Sequence, residues 1–97
     1  MKFFVLAAEE ASQAQRNAIT NYLNGNGFGF WHWIADFWIV QSSNNDLKAA
    51  SLRDTIRELV PGLAFHVFGV RPIEGEWAGM GDPRSAEWSK KQWKDEG

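Results

Sequence analysis

The fold of this 97-residue chain is decided by the stretch Gly27-Phe28-Gly29-Phe30-Trp31-His32-Trp33-Ile34-Ala35-Asp36-Phe37-Trp38-Ile39-Val40. Three of the six Trp and three of the seven Phe residues lie in it. Aromatic and β-branched residues favour strands, and the break at Ala35-Asp36 divides the stretch into two strand-length runs. A two-residue turn there places Ile34 opposite Phe37. We therefore predict a β-hairpin at the centre of a small sheet. Because neither turn residue is Gly or Asn, a longer loop is the alternative.

Strand alternation assigns the hairpin side chains to two faces. With the tight turn, one face is aliphatic and mixed, carrying Phe30, His32, Ile34, Phe37, Ile39 and Gln41. The other is a tryptophan face, carrying Gly29, Trp31, Trp33, Trp38, Val40 and Ser42. Both faces are apolar and need cover. We expect helices of this chain to cover one face, and a partner or the C-terminal tail to cover the other.

The segment before the hairpin predicts a strand followed by a helix. Residues 2–8 form a short apolar run, which is typical of a buried strand. Ser12 and Gln15 have the spacing of a capping box, which starts a helix. The run Asn24-Gly25-Asn26-Gly27 ends that helix near Leu23.

The segment after the hairpin predicts a second helix and a last main strand. Ser43 and Asp46 suit the start of that helix, Pro61-Gly62 ends it, and residues 63–71 are nearly all apolar. The resulting order, β-α-β-β-α-β, is typical of a ferredoxin-like α+β sandwich, a four-stranded antiparallel sheet with both helices on one face. The sheet face that the helices leave uncovered is called the open face below.

The chain is long enough for one domain and its extension. We expect the ferredoxin-like domain over residues 1–72 and a C-terminal extension over residues 73–97. A short extra strand is expected near residues 76–80, and a helical turn or two over residues 87–94. Six Trp and seven Phe residues are more aromatic rings than so small a domain hides, so we expect some of them at an interface, most simply that of a homodimer.

Charge and composition limit the classes of partner. The net charge of −2 and the pI of about 5.6 disfavour a nucleic-acid-binding surface, although Arg53, Arg57 and Arg71 are candidate contacts for nucleic acid. Stacking of bases on the tryptophan face, and burial of that face within the chain, are the alternatives to a dimer interface. The chain has no Cys, which excludes disulfides and Cys-based zinc sites. The apolar run at the N-terminus is too short for a signal peptide or a membrane span, so we expect a cytoplasmic protein without a membrane partner.

Candidate chemistry is sparse in the sequence. Glu9, Glu10 and Asp36 could bind a divalent metal, but helix-dipole compensation for the two Glu residues and turn geometry for Asp36 are the favoured explanation. The two histidines, His32 and His66, lack metal-ligand spacing. No phosphate loop or other small-molecule motif is present. We therefore expect no cofactor, no metal site, no small-molecule ligand and no catalysis.

Several of these segments, in this order, resemble a known group. They are residues 30–40, the run Ala50-Ser51-Leu52-Arg53-Asp54, the last strand, and Glu76-Trp77-Ala78-Gly79. The chain resembles the small SinR-like proteins over roughly residues 1–93. That group is related in fold to the CRISPR-associated ferredoxin-like endoribonuclease subunit and to VapD-type ribonucleases.

The resemblance implies a homodimer. Its relatives stack their open faces and add a short strand to the partner, so the extension over residues 73–97 is expected to dock on the partner protomer. The implied interface takes Trp31, Trp33, Trp38, Val40 and Trp77. We expect a non-catalytic dimeric module that is associated with nucleic acid in a defence or mobile-element context.

Two alternative functions stay open. The nuclease relatives place an Asp at the end of the first strand as a metal ligand at the dimer axis, and Glu9 has that position in this chain. This implies an endoribonuclease that depends on Mg²⁺, although the longer side chain of Glu changes the geometry of the site. The third candidate is a protein-interaction module that presents the Trp residues of the tail.

Overall fold

Residues 1–95 are described by the computed structural model. Its elements are β1 (Lys2–Ala8), α1 (Gln13–Gly25), β2 (Gly29–Ile34), β3 (Phe37–Ser42), α2 (Ala49–Leu59), β4 (Phe65–Val70) and α3 (Pro83–Gln92). The strands form one antiparallel sheet in the order β2-β3-β1-β4. The predicted ferredoxin-like sandwich is confirmed.

The core lies between the sheet and the helices α1 and α2. Its fully buried side chains come from both strands at the centre of the sheet and from both helices: Phe4, Leu6, Trp38, Val40, Ile19, Leu23, Leu52 and Ile56. The indole N–H of Trp38 donates to the Thr20 Oγ1 at 3.2 Å, which satisfies the only polar group of that ring.

The hairpin has the predicted turn but not the predicted faces. Ile34 lies opposite Phe37, as the tight turn requires, yet Trp31 lies opposite Ile39 because the register shifts between Trp31 and Ile34. A shift of one residue exchanges the faces of a strand relative to its neighbour. The prediction that Trp38 and Val40 share a face with Trp31 and Trp33 is therefore wrong.

The helix starts differ in how well the sequence predicts them. In α1 the Gln15 N–H donates to the Ser12 side chain at 3.1 Å and the Ser12 N–H donates to the Gln15 side chain at 2.9 Å, which confirms the capping box. In α2 the N-cap is Lys48, whose side chain makes no capping hydrogen bond. Asp46 instead lies in a loop where its N–H donates to Asn44, so the predicted start of α2 is too early.

The C-terminal extension is helical rather than extended. The described part of the chain has no strand between β4 and α3, so the strand expected near residues 76–80 is not formed. A strand that pairs with the sheet of a partner has no such sheet available in a single chain. Instead, α3 begins at Pro83 after Asp82, which caps it. Residues 96–97 of the predicted extension lie outside the described residues. No helix over residues 1–95 has the length and apolar character that crossing a membrane requires.

Candidate interaction surface

The open face is built from one side of all four strands. Cross-strand partners define a row that runs across it from edge to edge: Phe68 of β4, Val5 of β1, Ile39 of β3 and Trp31 of β2. Beside this row lie His66, Ala7 and Phe37, which are also direct neighbours across the strands. The open face is therefore apolar along its whole width, as the core face is.

Helix α3 covers the half of the open face near β2. The indole N–H of Trp31 donates to the Ser85 carbonyl at 3.3 Å. The Arg84 guanidinium lies over the Trp33 ring, 4.7 Å from its centroid. Cation–π contacts of this kind are worth about 0.5–1 kcal/mol at exposed sites. Trp31 and Trp33 thus contact the extension of their own chain.

The end of α3 anchors the extension on β1. The Trp93 ring meets the Phe3 ring edge-on, with 6.0 Å between the centroids, and Phe3 is only 2% exposed. The Trp93 indole N–H donates to the Glu76 carbonyl at 3.2 Å, which ties the loop before α3 to its end. The docking of the extension on a partner protomer stays a prediction. In this structure the extension contacts the sheet of its own chain.

The other half of the open face is left uncovered. We call its four side chains, Val5, Ala7, His66 and Phe68, the β4 patch. Phe68 is 54% exposed, and the His66 ring stacks on it with 5.8 Å between the ring centroids. None of the four is a Lys, Arg, Asp or Glu residue. An apolar surface of this kind on a sheet is typical of an interaction site.

A shallow cavity of about 510 Å³ adjoins the β4 patch. It is lined by Glu9 at the end of β1, by the first residues of β4 and by the patch itself: Ala7, Ala8, Glu9, Ala64, Phe65, His66 and Phe68. The Glu9 side chain is exposed, while its backbone N–H donates to the Ala64 carbonyl at 2.9 Å. The Glu9 carboxylate and the His66 imidazole both line this cavity.

The five residues of the predicted dimer interface do not form one surface. Trp38 and Val40 are completely buried in the core, so they cannot contact a partner, and this part of the prediction is wrong. Trp31 lies beside α3, and Trp77 lines a cleft of about 240 Å³ between the loop before α3 and the open face. Phe68 and Val5 were not among the interface residues predicted from the sequence. The apolar residues on both faces of β1 and β4 were the signal for them.

Asp36 has a structural role. Its Oδ1 accepts from the Arg16 Nε at 3.0 Å and from the Ala11 N–H at 3.2 Å, and its Oδ2 accepts from the Arg16 Nη2 at 3.3 Å. The hydrogen bond from Arg16, with smaller contributions from the Arg16 charge and the Ala11 N–H, lowers the pKa of Asp36 below its usual value of 3.8. Asp36 therefore fixes the hairpin turn to the start of α1.

No three of the metal-ligating residue types converge within residues 1–95. Glu9 and Glu10 are both exposed, and Glu10 has a positive φ of 50°. Asp36 is engaged by Arg16. A site that holds a metal through Glu9 would need ligands beyond those that the described part of one chain brings together.

The three candidate arginines lie on two separate surfaces. Arg53 and Arg57 both contact Asp54 on α2, at 2.9 Å and 3.5 Å, so their charge is partly neutralised. Arg71 follows β4 and lines a different cavity with Lys2. Whether any of them contacts nucleic acid stays a prediction.

Compared with protein-family models, curated proteins and solved structures, the chain matches none of them. The SinR-like resemblance is therefore carried by its sequence motifs alone and stays a prediction.

Proposed function

We propose that this chain is a non-catalytic, homodimeric ferredoxin-like module of the cytoplasm, and that its second copy contacts the β4 patch. The observation that carries the proposal is Phe68, a large apolar ring that is 54% exposed on the edge strand of an apolar sheet face. Fully burying an exposed Phe side chain contributes about 1.5–3 kcal/mol, and about half of the Phe68 surface is still exposed, so its burial against a second copy favours association.

The chemistry of the β4 patch favours a protein partner over nucleic acid. Nucleic-acid surfaces use Lys and Arg to neutralise phosphates, and the patch has neither residue. Two copies of a neutral patch also meet without like-charge repulsion. The proposed role in a defence or mobile-element setting is drawn from the SinR-like resemblance, and nucleic acid would reach such a dimer elsewhere on its surface, for example at Arg71.

The experiment measures mass by light scattering for the wild type and two variants. The wild type is expected at twice the chain mass of 11.0 kDa. Phe68→Asp places a charge in the patch and is expected to give a monomer. Ile34→Asp is the matched control, because Ile34 is 58% exposed on the opposite edge of the sheet, and it is expected to stay dimeric. A monomeric wild type at high concentration would end the proposal.

A ribonuclease that depends on a divalent metal is the second candidate. The observation that favours it is the shared cavity of Glu9 and His66, beside the proposed dimer contact. If the two copies stack their open faces at the β4 patch, a second Glu9 would come closer and add ligands that one chain lacks. The carboxylates would hold the metal, and the metal would activate water for attack on phosphate.

The ribonuclease candidate is tested with purified protein and a labelled RNA. Cleavage is expected to require Mg²⁺ or Mn²⁺ and to be lost in Glu9→Gln, which keeps the size of the side chain. Glu10→Gln is the matched control and is expected to keep the activity. If RNA stays intact with both metals, the chain is not this enzyme, and the non-catalytic proposal is unaffected.

A further inference from the structure

The outer edge of β4 carries no strand. In the sheet order β2-β3-β1-β4, strand β4 is an edge, and no backbone hydrogen bond from its outer side is found within residues 1–95. Unpaired N–H and C=O groups on an edge strand are a template for pairing with another chain.

The register shows which residues present their backbone at this edge. The Glu9 N–H bonds the Ala64 carbonyl, and these two residues continue the β1–β4 ladder. Because hydrogen-bonded and non-hydrogen-bonded pairs alternate in an antiparallel ladder, every second residue after Ala64 also bonds β1. The residues between them turn their N–H and C=O outward, and these are Phe65, Val67 and Gly69.

The β4 edge lacks the features that usually block pairing. Strand β4, with the sequence Phe-His-Val-Phe-Gly-Val, contains no Lys, no Pro and no acidic residue, and its ladder with β1 has no bulge. The opposite edge, β2, has a register shift and lies beside α3. Natural sheets use such bulges and covers to prevent association, so the contrast between the two edges is informative.

The β4 sequence is self-complementary in one antiparallel register. With a two-fold axis at Val67, each outward residue exchanges backbone hydrogen bonds with a residue of the second copy, and Phe65 lies opposite Gly69 of that copy. On the open face, His66 then lies opposite Phe68 of the second copy. A Cβ built on Gly69 has no atom within 4 Å, so there is space at Gly69 for the opposing Phe65 ring. An aromatic ring across from an edge glycine is a known way to stabilise strand pairing.

We infer that a second copy of this chain pairs along β4, in antiparallel orientation and with the two-fold axis at Val67. The product is a continuous eight-stranded sheet in which the two β4 patches are neighbours on one face. The inference rests on the proposed homodimer and specifies its geometry, since stacking of the two open faces would bury the same patch without any strand pairing.

Gly69→Pro tests the backbone pairing directly. Proline at this position removes an outward N–H and places its ring where the second copy would approach, but it breaks no bond to β1. The dimer is expected to weaken at least tenfold in Kd by sedimentation equilibrium. Gly69→Ala keeps the N–H, and its methyl group meets no atom of its own chain, so it is the matched control for the added side chain; because that methyl group would lie beside the Phe65 ring of the second copy, it is expected to weaken the dimer far less than Gly69→Pro does.

Cysteine cross-linking tests the register even if the proline variant does not fold. The chain has no Cys, so a mixture of the single variants His66→Cys and Phe68→Cys reports one pair of positions. Opposite residues in an antiparallel pair have the Cα separation that a disulfide needs. Because Phe68→Cys also removes one ring of the patch, the mixture is oxidised at a concentration at which light scattering shows it to be dimeric; it is then expected to form a cross-linked heterodimer, and each variant alone much less.

The outcomes separate this inference from the proposed function. If the wild type is a monomer, both fail. If Phe68→Asp is monomeric while Gly69→Pro stays dimeric and the cysteine mixture does not cross-link, the homodimer stands, and stacked open faces replace the paired strands.

Discussion

A single buried ring, that of Trp38, shows how position decides what a tryptophan does. Trp38 is 0% exposed and its indole N–H bonds Thr20, whereas Trp33, five residues earlier, is 41% exposed. The large surface of Trp38 is part of the domain's own core. Its contribution is therefore to the free energy of unfolding and not to association.

We predict that Trp38→Ala destabilises the monomer by about 3–5 kcal/mol, a typical cost for removing a large ring from a core. The total free energy of unfolding of a domain of this size is about 5–15 kcal/mol, so the variant is expected to be largely unfolded or close to it. Urea unfolding followed by circular dichroism measures this. A variant that keeps wild-type stability but changes its mass would mean that Trp38 lies at an interface after all.

Asp36 connects the hairpin turn to α1, and its ionisation makes stability depend on pH. Its pKa is lowered from 3.8 by the hydrogen bond from Arg16, so the folded state favours the carboxylate. The stabilisation is complete above the unfolded pKa of 3.8 and is lost as the pH falls through the lower, folded pKa. The ion pair is partly exposed, at 25% for Arg16 and 28% for Asp36, so salt weakens it.

We predict that Asp36→Asn is less stable than the wild type at pH 7, and that the difference disappears in acid. The free energy of unfolding, measured from pH 7 down to pH 2, is expected to show the gap closing only below about pH 4. Glu58→Gln is the control, because Glu58 is an exposed carboxylate without an ion pair among residues 1–95, and its effect is expected to be near zero. An equal gap at pH 7 and pH 2 would contradict the role of the charge.

At the scale of elements, the sequence predicts what local chemistry specifies. All four strands and both main helices could be located, and the Ser12 capping box is formed as expected, because caps, turns and apolar runs are local signals. The bulge in β2 is different. Nothing in Gly29 to Ile34 marks it, and the partners of its residues are distant in sequence, since Trp31 and Trp33 contact α3 while His32 stacks on Trp38. A shift of one residue was enough to move Trp38 and Val40 to the other face.

The position of α3 on the sheet could not be predicted from local sequence signals either. The sequence predicts a helical turn or two over residues 87–94, whereas α3 begins earlier, at Pro83, and its position depends on long-range partners such as Phe3 and Trp31. Trp93 makes the contact that holds its C-terminal end, through the Phe3 ring and the Glu76 carbonyl. The helix contains no fully buried residue, but several along it are half-buried, so its attachment relies on partial contacts: Ser85, Ala86, Trp88, Ser89 and Gln92.

We predict that Trp93→Ala releases α3 from the sheet at a cost of about 1–2 kcal/mol, since an aromatic pair and a half-buried ring are lost. Hydrogen exchange is expected to rise over residues 83–92 and to stay unchanged in β1 and β3. Trp93→Phe keeps the ring contact but loses the indole hydrogen bond, so an intermediate effect is expected. Faster exchange throughout the chain would show that α3 is part of the core unit instead.

At the scale of the whole molecule, the aromatic residues outside the core fall into two groups, those that the chain covers itself and those that it leaves exposed. One half of the open face is covered by the chain's own extension, and the other half, around Phe68, is not. The sequence indicates that the rings need cover, because six Trp and seven Phe exceed what one small core holds. It does not indicate which ring goes where, since that depends on the bulge and on α3. The candidate site was therefore predicted in kind, as an apolar open face, but two of the five residues assigned to it, Trp38 and Val40, lie in the core instead.

If the uncovered half is closed by a second copy, folding and association are linked. A dimer that unfolds to two separate chains gains stability as the concentration rises. We predict that the thermal midpoint rises by about 3–4 °C for each tenfold increase in protein concentration above the Kd. This rise follows from an unfolding enthalpy of about 0.7 kcal/mol per residue, summed over the residues of both chains. Phe68→Asp is expected to melt at one temperature across the same range, and Ile34→Asp to follow the wild type. A wild-type midpoint that is independent of concentration, in a sample that light scattering shows to be dimeric, would mean that the monomer is not stabilised by its partner. The exposure of the Phe68 side chain would then have to be explained by something other than contact with a second copy.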